Sequence, residues 1–549
     1  MRGPTRSFVL LFVCFLVWGA PAFAQSDTPA GDQAKPAAKA ASEEEVEQLR
    51  REVADLKATI QKLLLVNQQQ AAAAGSGSGH LVQATAVVAS SAQPVDPGAA
   101  PSADPSAAPP PTAADIDALQ KEIDLLQKKT NDTPPVTAGW NGEHFFLKSS
   151  DGNFLLMPVG YLDANYVSYK GDGAPPDTFS ISRARFGVQG KYGNKLDYAF
   201  LFETANTGSS GLTIRYAYVD FKPWDVLKFQ AGQYKVPFSM EVGTADTNVE
   251  FVSRSIVSVL YPDAGGSFRA PGVDAHGDLF GGIVQYWGGV FNGRGLIATA
   301  TTNEPEVVGR IRFQPWRSSS SSFLKDFAIG GSAAHSRSRG LTNELSFSGN
   351  INDGTFTFFP QYRINGGIER YNGFFIYRKG PLGVRGEYTQ GLWKRDNIGT
   401  IQLGGIGFQS LPGIVGKGAY GQVTYLLTGE TEPENAIPRV KHPVIGPSSP
   451  GETGGPGWGA FALKFRYSWL EGKVGGASCT ADGTCPITPA IFPAQSDHTD
   501  QFTGGLNWYL NYWVLLKFDF SADRLVNPSV QGIAKQNYFV ALQQVQFRF

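Results

Sequence analysis

Lysine and arginine residues recur at alternate positions in segments between residues 180 and 520, with large apolar residues at the positions between them. In the segment 459–470, for example, Lys464 and Arg466 alternate with Phe465 and Tyr467. Successive side chains of a β-strand point to opposite faces, so the cations would share one face and the apolar groups the other. Arginine can bind two oxygens of a phosphate or carboxylate with its planar fork, whereas lysine acts as a point charge. The pattern therefore predicts strands with one face that attracts anions.

The apolar face indicates the surroundings of these strands. Large apolar groups on one face and cations on the other suit a strand that lies between lipid and water, and closure into a barrel removes exposed strand edges. We predict an all-β fold, a sixteen-stranded antiparallel transmembrane β-barrel over residues 140–549. The sixteen strands are expected at 154–169, 179–191, 195–207, 212–222, 226–235, 273–280, 283–291, 305–316, 326–338, 366–379, 382–395, 417–429, 459–470, 501–510, 513–521 and 537–549.

The lengths of the connections predict the orientation of the barrel, because such barrels have short periplasmic turns and long external loops. With both termini in the periplasm, the short turns fall on the periplasmic side. The long segments 236–272, 339–365, 396–416, 471–500 and 522–536 then fall outside. The segment 430–458 is long yet periplasmic, so it either folds into the lumen or marks an error in the strand count.

The N-terminus predicts secretion. Arg2 and Arg6 precede an apolar run at 8–18, and Ala22-Phe23-Ala24 forms a cleavage site of small residues, so residues 1–24 are predicted to be a signal peptide. This predicts delivery to the bacterial outer membrane, with the segment before the barrel in the periplasm.

The segment before the barrel contains a heptad pattern at 42–70, which predicts an α-helical coiled coil. A disordered linker rich in Ala, Gly, Ser and Pro is predicted at 71–113, and a short second coiled-coil helix at 114–130. Helices this short are marginal alone, so association is expected, the alternative being an amphipathic helix packed on its own barrel. The first seam consists of Val46, Leu49, Val53, Leu56, Ile60 and Leu63.

Composition argues against several other classes of function. The six histidines have no spacing typical of a zinc enzyme, and the net charge of −1 gives no reason to expect a nucleic-acid partner. We therefore predict no enzymatic activity, no metal site and no cofactor. Cys479 and Cys485 are expected to close a small external loop by a disulfide, as secreted proteins often do.

Five runs of residues resemble the phosphate-selective porin O/P family of outer-membrane channels. The most specific are Gly-Gln-Tyr-Lys-Val-Pro-Phe at 232–238 and Tyr-Leu-Leu-Thr-Gly-Glu at 425–430. The full runs are 182–190, 227–238, 291–293, 418–430 and 459–468. The resemblance implies a homotrimeric porin in outer-membrane lipid, with external loops folded into the pore and cations that select small anions such as phosphate.

Inward-facing cations would hold a positive potential in a confined aqueous channel. The possible constriction loop at 236–272 adds Lys235, Arg254 and Arg269. The predicted pore-lining, anion-binding residues are Arg183, Arg185, Lys228, Arg310, Arg312, Arg385, Lys464, Arg466 and Lys517.

One feature favours a different interpretation of the same barrel. Asp197, Glu203, Glu387 and Asp519 share the predicted inner face and could neutralise these cations. The alternative is therefore a weakly selective general porin for small hydrophilic solutes, which also tethers the outer membrane to the cell wall through its coiled coil. Val or Ile at a positions and Leu at d positions favour two strands, in tension with a trimer.

The coiled-coil prediction has a direct test. Chemical crosslinking of a fragment covering residues 25–133 is expected to give discrete oligomers, because each seam buries apolar residues only against another helix. A fragment that stays monomeric at every concentration would contradict the coiled coil.

Overall fold

The structure is a computed structural model, and it describes most of the chain from residue 136 onward together with a short helix at 117–125. The described ranges are 117–125, 136–171, 174–205, 211–262, 268–293, 296, 304–320, 323–338, 344–351, 354–402, 405–474, 495–526 and 535–549. The predicted signal peptide, the coiled coil at 42–70 and the linker at 71–113 lie outside these residues. The helix at 117–125 lies within the predicted second helix, and Leu119 packs on Ile123 there.

The chain divides into two compact units. One consists of residues 36–137 and 149–152, and the other contains 138–148 and everything from 153 to 549. Of the described residues, none forms a helix that is long and apolar enough to cross a membrane.

Twenty strands account for nearly all of the regular structure that is described. They are β1 (Val136–Trp140), β2 (Phe145–Ser149), β3 (Phe154–Lys170), β4 (Thr178–Tyr192), β5 (Leu196–Glu203), β6 (Thr213–Trp224), β7 (Leu227–Lys235), β8 (Arg269–Leu279), β9 (Val284–Phe291), β10 (Glu306–Phe313), β11 (Ala328–Ser338), β12 (Glu344–Ile351), β13 (Gly354–Arg363), β14 (Gly366–Lys379), β15 (Leu382–Gln402), β16 (Gly405–Leu426), β17 (Ala460–Val474), β18 (Gln495–Tyr509), β19 (Val514–Val526) and β20 (Lys535–Arg548).

Sixteen of these strands, β3–β11 and β14–β20, form a closed antiparallel barrel, which confirms the predicted strand number. Each of the sixteen pairs with the next of them along the chain, so that β11 pairs with β14, and β20 closes the barrel by pairing with β3. Closure leaves no free edge, so every long ribbon has a hydrogen-bonded neighbour on both sides.

The alternation of side chains in β17 fits the two faces of the barrel wall. Lys464 and Arg466 are buried inside, whereas Leu463, Phe465 and Tyr467 are exposed on the outer face. A row of exposed large apolar groups is what a lipid-facing surface requires. The same period of two recurs in β10 and β20.

Short turns lie at one end of the barrel, as the sequence predicts. We call this the terminal end, because β3 begins and β20 ends there. Short turns at 193–195, 225–226, 280–283, 380–381 and 510–513 lie at this end. The prediction of a loop at 396–416 is wrong, because β15 and β16 continue as a paired hairpin with only 403–404 between them. Their backbone groups bond to each other, so Gly-rich sequence in this region does not end the strands. The segment 339–365 contains a hairpin, β12 with β13.

Phe465 offers a test of the lipid-facing surface, because it is exposed on the outer face of β17. Phe465→Lys is expected to lower the free energy of unfolding by roughly 2–4 kcal/mol if its site lies near the bilayer midplane, where a lipid-facing cation is most costly. Urea unfolding in lipid vesicles measures the change, with Phe465→Leu as the control. Equal stability of the two variants would place this face away from lipid.

Candidate functional site

A loop between β7 and β8 enters the lumen of the barrel, and we call it the inserted loop (residues 236–268, of which 236–262 and 268 are described). It contains an α-helix, Met240–Gly243, and two 3-10 helices, Asp246–Asn248 and Ile256–Leu260. Its backbone contacts inner-face residues of strands on the opposite side of the barrel, such as Glu387 on β15 and Asp519 on β19. The loop therefore crosses the lumen and narrows it.

Apolar packing holds one part of the inserted loop. Phe238, Val252 and Val257 are buried in a cluster that also contains wall residues of β15, β16 and β17. A methyl group at Gly418 of β16 would lie 3.1 Å from both γ-carbons of Val257, so a glycine lets the loop approach the wall this closely. The apolar core of this protein thus lies inside its barrel.

Three of the cations predicted to line the pore bind the backbone of the inserted loop. Lys464 Nζ donates to the carbonyl of Glu250 at 2.6 Å, Lys517 Nζ to that of Val249 at 2.8 Å, and Arg466 Nη2 to that of Ser253 at 3.1 Å. All three side chains are at least 98% buried. The wall formed by β17–β19 is therefore closed by the loop at this level.

The Glu250 carboxylate holds the loop against β15 and β16. It pairs with Arg385 of β15 at 2.7 Å and accepts hydrogen bonds from Gln422 and Thr424 of β16. Because an unpaired buried charge would be costly, Arg385 and Glu250 stabilise each other's burial.

Four residues before Glu250, the loop is organised around Asp246, which is shared by four cations. Arg254 and Arg269 each lie 2.7 Å from its carboxylate, Lys235 lies 3.3 Å away, and Arg185 also forms an ion pair with it. Burial alone would raise the pKa of the Asp246 carboxyl, but the charges of Arg269, Lys235, Arg185 and Arg254 outweigh it and hold that pKa well below its usual range. We call this group the Asp246 cluster.

All four cations of this cluster are among the residues predicted from the sequence, but Asp246 is not, since a lone aspartate in a loop carries no pattern. The predicted residues also lack Arg215, which lies 3.7 Å from Glu203, itself 2.5 Å from Arg185. A register shift between β5 and β6 leaves Arg215 as an extra residue, which disturbs the alternation of faces there. A strict period of two cannot locate such a side chain.

A second segment enters from the terminal end: residues 427–459, between β16 and β17, which we call the inserted segment. Asn435 accepts a hydrogen bond from the backbone of Ala245 in the inserted loop, and Glu434 pairs with Arg312 of β10 at 2.9 Å and Arg378 of β14 at 3.2 Å. Glu432 pairs with Arg385 at 2.5 Å. The long connection at 430–458 therefore folds into the lumen, and the strand count is correct.

The remaining predicted cations also lie against neighbours. Arg183 lies 2.9 Å from Asp163 and keeps 21% of its side chain exposed, and Lys228 is buried on β7. The Arg310 guanidinium lies 4.7 Å from the centre of the Trp287 ring and 5.3 Å from that of Phe374. Their part in anion binding remains a prediction.

Of the four carboxylates that could neutralise the lumen, two pair with predicted pore-lining cations and two have other partners. Glu203 pairs with Arg185, and Asp519 lies 2.6 Å from Lys464, so each faces a predicted cation. Asp197 pairs with Lys222 instead, and Glu387 accepts hydrogen bonds from Asn372, Tyr420 and the backbone of Glu241. Cys479 and Cys485 lie outside the described residues.

A cavity of about 570 Å³ lies between the inserted loop, the inserted segment and the wall formed by β3–β10. Arg185, Lys235 and Asp246 line it where the loop approaches the wall, and Arg439, Lys441 and Glu452 line it on the inserted segment. The open space thus lies on the side of the barrel opposite the closed wall of β17–β19.

A closed barrel of sixteen strands, with apolar side chains outside and a loop across a polar lumen, defines a channel of the bacterial outer-membrane type. The sequence profile of the family described as phosphate-selective porin O and P matches residues 160–527. The chain belongs to this family, so it is a porin. No curated protein sequence matches it significantly.

A comparison with solved structures finds several outer-membrane proteins. OmpT, an outer-membrane protein of Vibrio cholerae, has a TM-score of 0.43 and 10% identity over 72% of this chain and 98% of its own. An anion-selective porin from Comamonas acidovorans has a TM-score of 0.41 and 12% identity over 72% and 99%. The outer-membrane channel DcaP of Acinetobacter baumannii has a TM-score of 0.40 and 10% identity over 73% and 99%. The family assignment itself rests on the sequence match.

Removal of the Asp246 carboxylate tests its role in holding the loop. Asp246→Asn leaves four cations without their shared partner and is expected to lower the free energy of unfolding by about 3–5 kcal/mol, as for other broken buried pairs. Urea unfolding and trypsin cleavage after Arg254 are the measurements. Asp225→Asn, in an exposed turn, is the matched control, and equal behaviour of the two variants would show that Asp246 does not hold the loop.

The low pKa of Asp246 predicts how this effect depends on pH. A carboxyl with a lowered pKa stabilises the fold above its unfolded pKa of about 3.9, and the contribution is lost as the pH falls through the lower folded value. The stability difference between the wild type and Asp246→Asn should therefore be constant from about pH 7 to about pH 5 and shrink only below about pH 4. A difference that stays the same down to about pH 2 would contradict the low pKa.

Proposed function

We propose that the protein is a passive diffusion channel that prefers small anions, phosphate among them. The observation that supports this most is the Asp246 cluster, in which Arg185, Lys235, Arg254 and Arg269 share one carboxylate beside the cavity. A cluster of positively charged side chains next to a narrow aqueous passage raises the local concentration of anionic solutes and lowers that of cationic solutes.

A second candidate function, a weakly selective porin for small hydrophilic solutes, is favoured by the inserted segment. Glu434 pairs with Arg312 and Arg378, and Glu432 with Arg385, on the wall formed by β10, β14 and β15. Paired charges give a weak field at a distance. On this alternative the arginines serve to fasten the two inserted elements rather than to select solutes.

The proposal extends to the assembly. We propose a homotrimer in outer-membrane lipid, as the family resemblance implies, with the predicted coiled coil in the periplasm joining protomers or contacting the cell wall. One solved structure of OmpT from Vibrio cholerae is described as a trimer form, which supports this as a model for assembly.

The selectivity of the channel is testable in planar bilayers. In a KCl gradient the reversal potential is expected to have the sign of an anion-preferring channel, and Lys235→Gln should lower the chloride-to-potassium permeability ratio by about twofold, the effect of one charge at about 10 Å in water. Lys195→Gln, in an exposed turn, is the control and should leave the ratio unchanged. A cation-preferring reversal potential would refute the proposal.

Phosphate requires its own measurement, because a cluster of cations attracts any small anion. The reversal potential with phosphate on one side and chloride on the other is expected to show phosphate permeability at least equal to that of chloride, since arginine can bind two phosphate oxygens. Phosphate permeability well below that of chloride would leave an anion channel without phosphate preference.

A further inference from the structure

The wall of the cavity next to the Asp246 cluster is aromatic. The rings of Tyr216, Tyr218, Tyr234 and Phe291 follow one another across β6, β7 and β9, with centres 6.0, 6.0 and 5.5 Å apart. Successive rings meet nearly edge to face, at angles between 67° and 70°. This geometry is the one that aromatic pairs prefer, and another flat ring could join such a row by the same interaction.

Cations accompany these aromatic groups. The Arg269 guanidinium lies 4.3 Å from the centre of the Tyr216 ring, and that of Arg310 lies 4.7 Å from the Trp287 ring. Tyr216, Tyr218, Tyr234, Trp287 and Arg310 all line the cavity. A solute in it would therefore meet ring faces and positive charge together.

Tyr161 adds a hydroxyl group to the lining of the cavity. Its side chain lines the cavity and is 91% buried, the Arg185 guanidinium lies 5.2 Å from its ring centre, and its hydroxyl has no hydrogen-bond partner among the described residues. A buried hydroxyl without a partner is costly, so a ligand oxygen that accepts its hydrogen would be stabilised.

The size of the cavity also indicates the kind of solute that fits. At about 570 Å³ it lies in the range of 300–1,000 Å³ that is typical of sites for organic ligands, which is more than one inorganic anion fills. A neutral sugar could stack on the rings but would make no use of the cations. An inorganic anion would use the cations but not the rings.

We propose that this cavity favours anions that carry an aromatic ring, with benzoate-like carboxylates as the simplest members. The inference rests on the proposed anion preference and narrows it to a class of solute. The ring packs along the wall formed by Tyr216, Tyr218 and Trp287, while the carboxylate faces the cations and the Tyr161 hydroxyl. Binding of this kind is weak enough for the solute to leave, as a diffusion channel requires.

The test compares two acids of equal charge and similar size in planar bilayers containing the full-length protein. Benzoate is expected to halve the chloride current at a concentration about threefold or more below that of cyclohexanecarboxylate, which lacks an aromatic face. Tyr218→Leu and Trp287→Leu should each reduce this difference. Phe229→Leu, on the exposed outer face of β7, is the matched control and should keep it.

The outcomes separate this inference from the proposed function. An anion-preferring reversal potential in KCl together with equal block by the two acids overturns the aromatic inference alone. A cation-preferring reversal potential overturns both. If either leucine variant fails to form a heat-resistant barrel on a gel, the comparison of the two acids on the wild type still decides the matter.

Discussion

The structure depends on one constraint: a charge that is removed from water inside a protein must be paired. The inner wall of this barrel carries many cations, and the inserted loop supplies their partners on both sides. Glu250 and backbone carbonyls of residues 249–254 satisfy Arg385, Lys464, Arg466 and Lys517, while Asp246 satisfies the cations of β4, β7 and β8. Arg385, Lys464 and Arg185 also pair with Glu432, Asp519 and Glu203. Each of these cations would still lose at least one partner if the loop left, so the loop is held in place.

This arrangement makes the lumen asymmetric. The wall formed by β15–β19 is covered by the loop through ion pairs and an apolar cluster, whereas a cavity remains along β3–β10. The inserted segment closes part of the terminal end and joins the loop at Asn435. In the proposed function, the residues of one side select the solutes, because the Asp246 cluster and the aromatic wall lie next to each other there.

The sequence predicted the barrel well, because alternation in each strand is a local property that every strand repeats. It could not predict the contacts inside the barrel, since Val252 and Asp519, for example, meet across 267 positions of the chain. It found the cations of the Asp246 cluster from their types, yet missed Asp246, which has no pattern, and Arg215, which a register shift in β6 leaves out of the alternation. It also predicted a loop at 396–416, where β15 and β16 continue, because glycine-rich strands look like turns.

The contact between the inserted loop and the wall of β17 can be tested in the working channel. Ser255 of the loop and Ser468 of β17 have hydroxyl oxygens 3.5 Å apart, so the double variant Ser255→Cys with Ser468→Cys should form a disulfide in a background where Cys479 and Cys485 are serine. The decisive measurement is the single-channel conductance of this variant before and after reduction. We expect the disulfide to form and the single-channel conductance to be the same in the oxidised and the reduced state. A disulfide that does not form, or a conductance that rises when it is reduced, would contradict a loop fixed in this position.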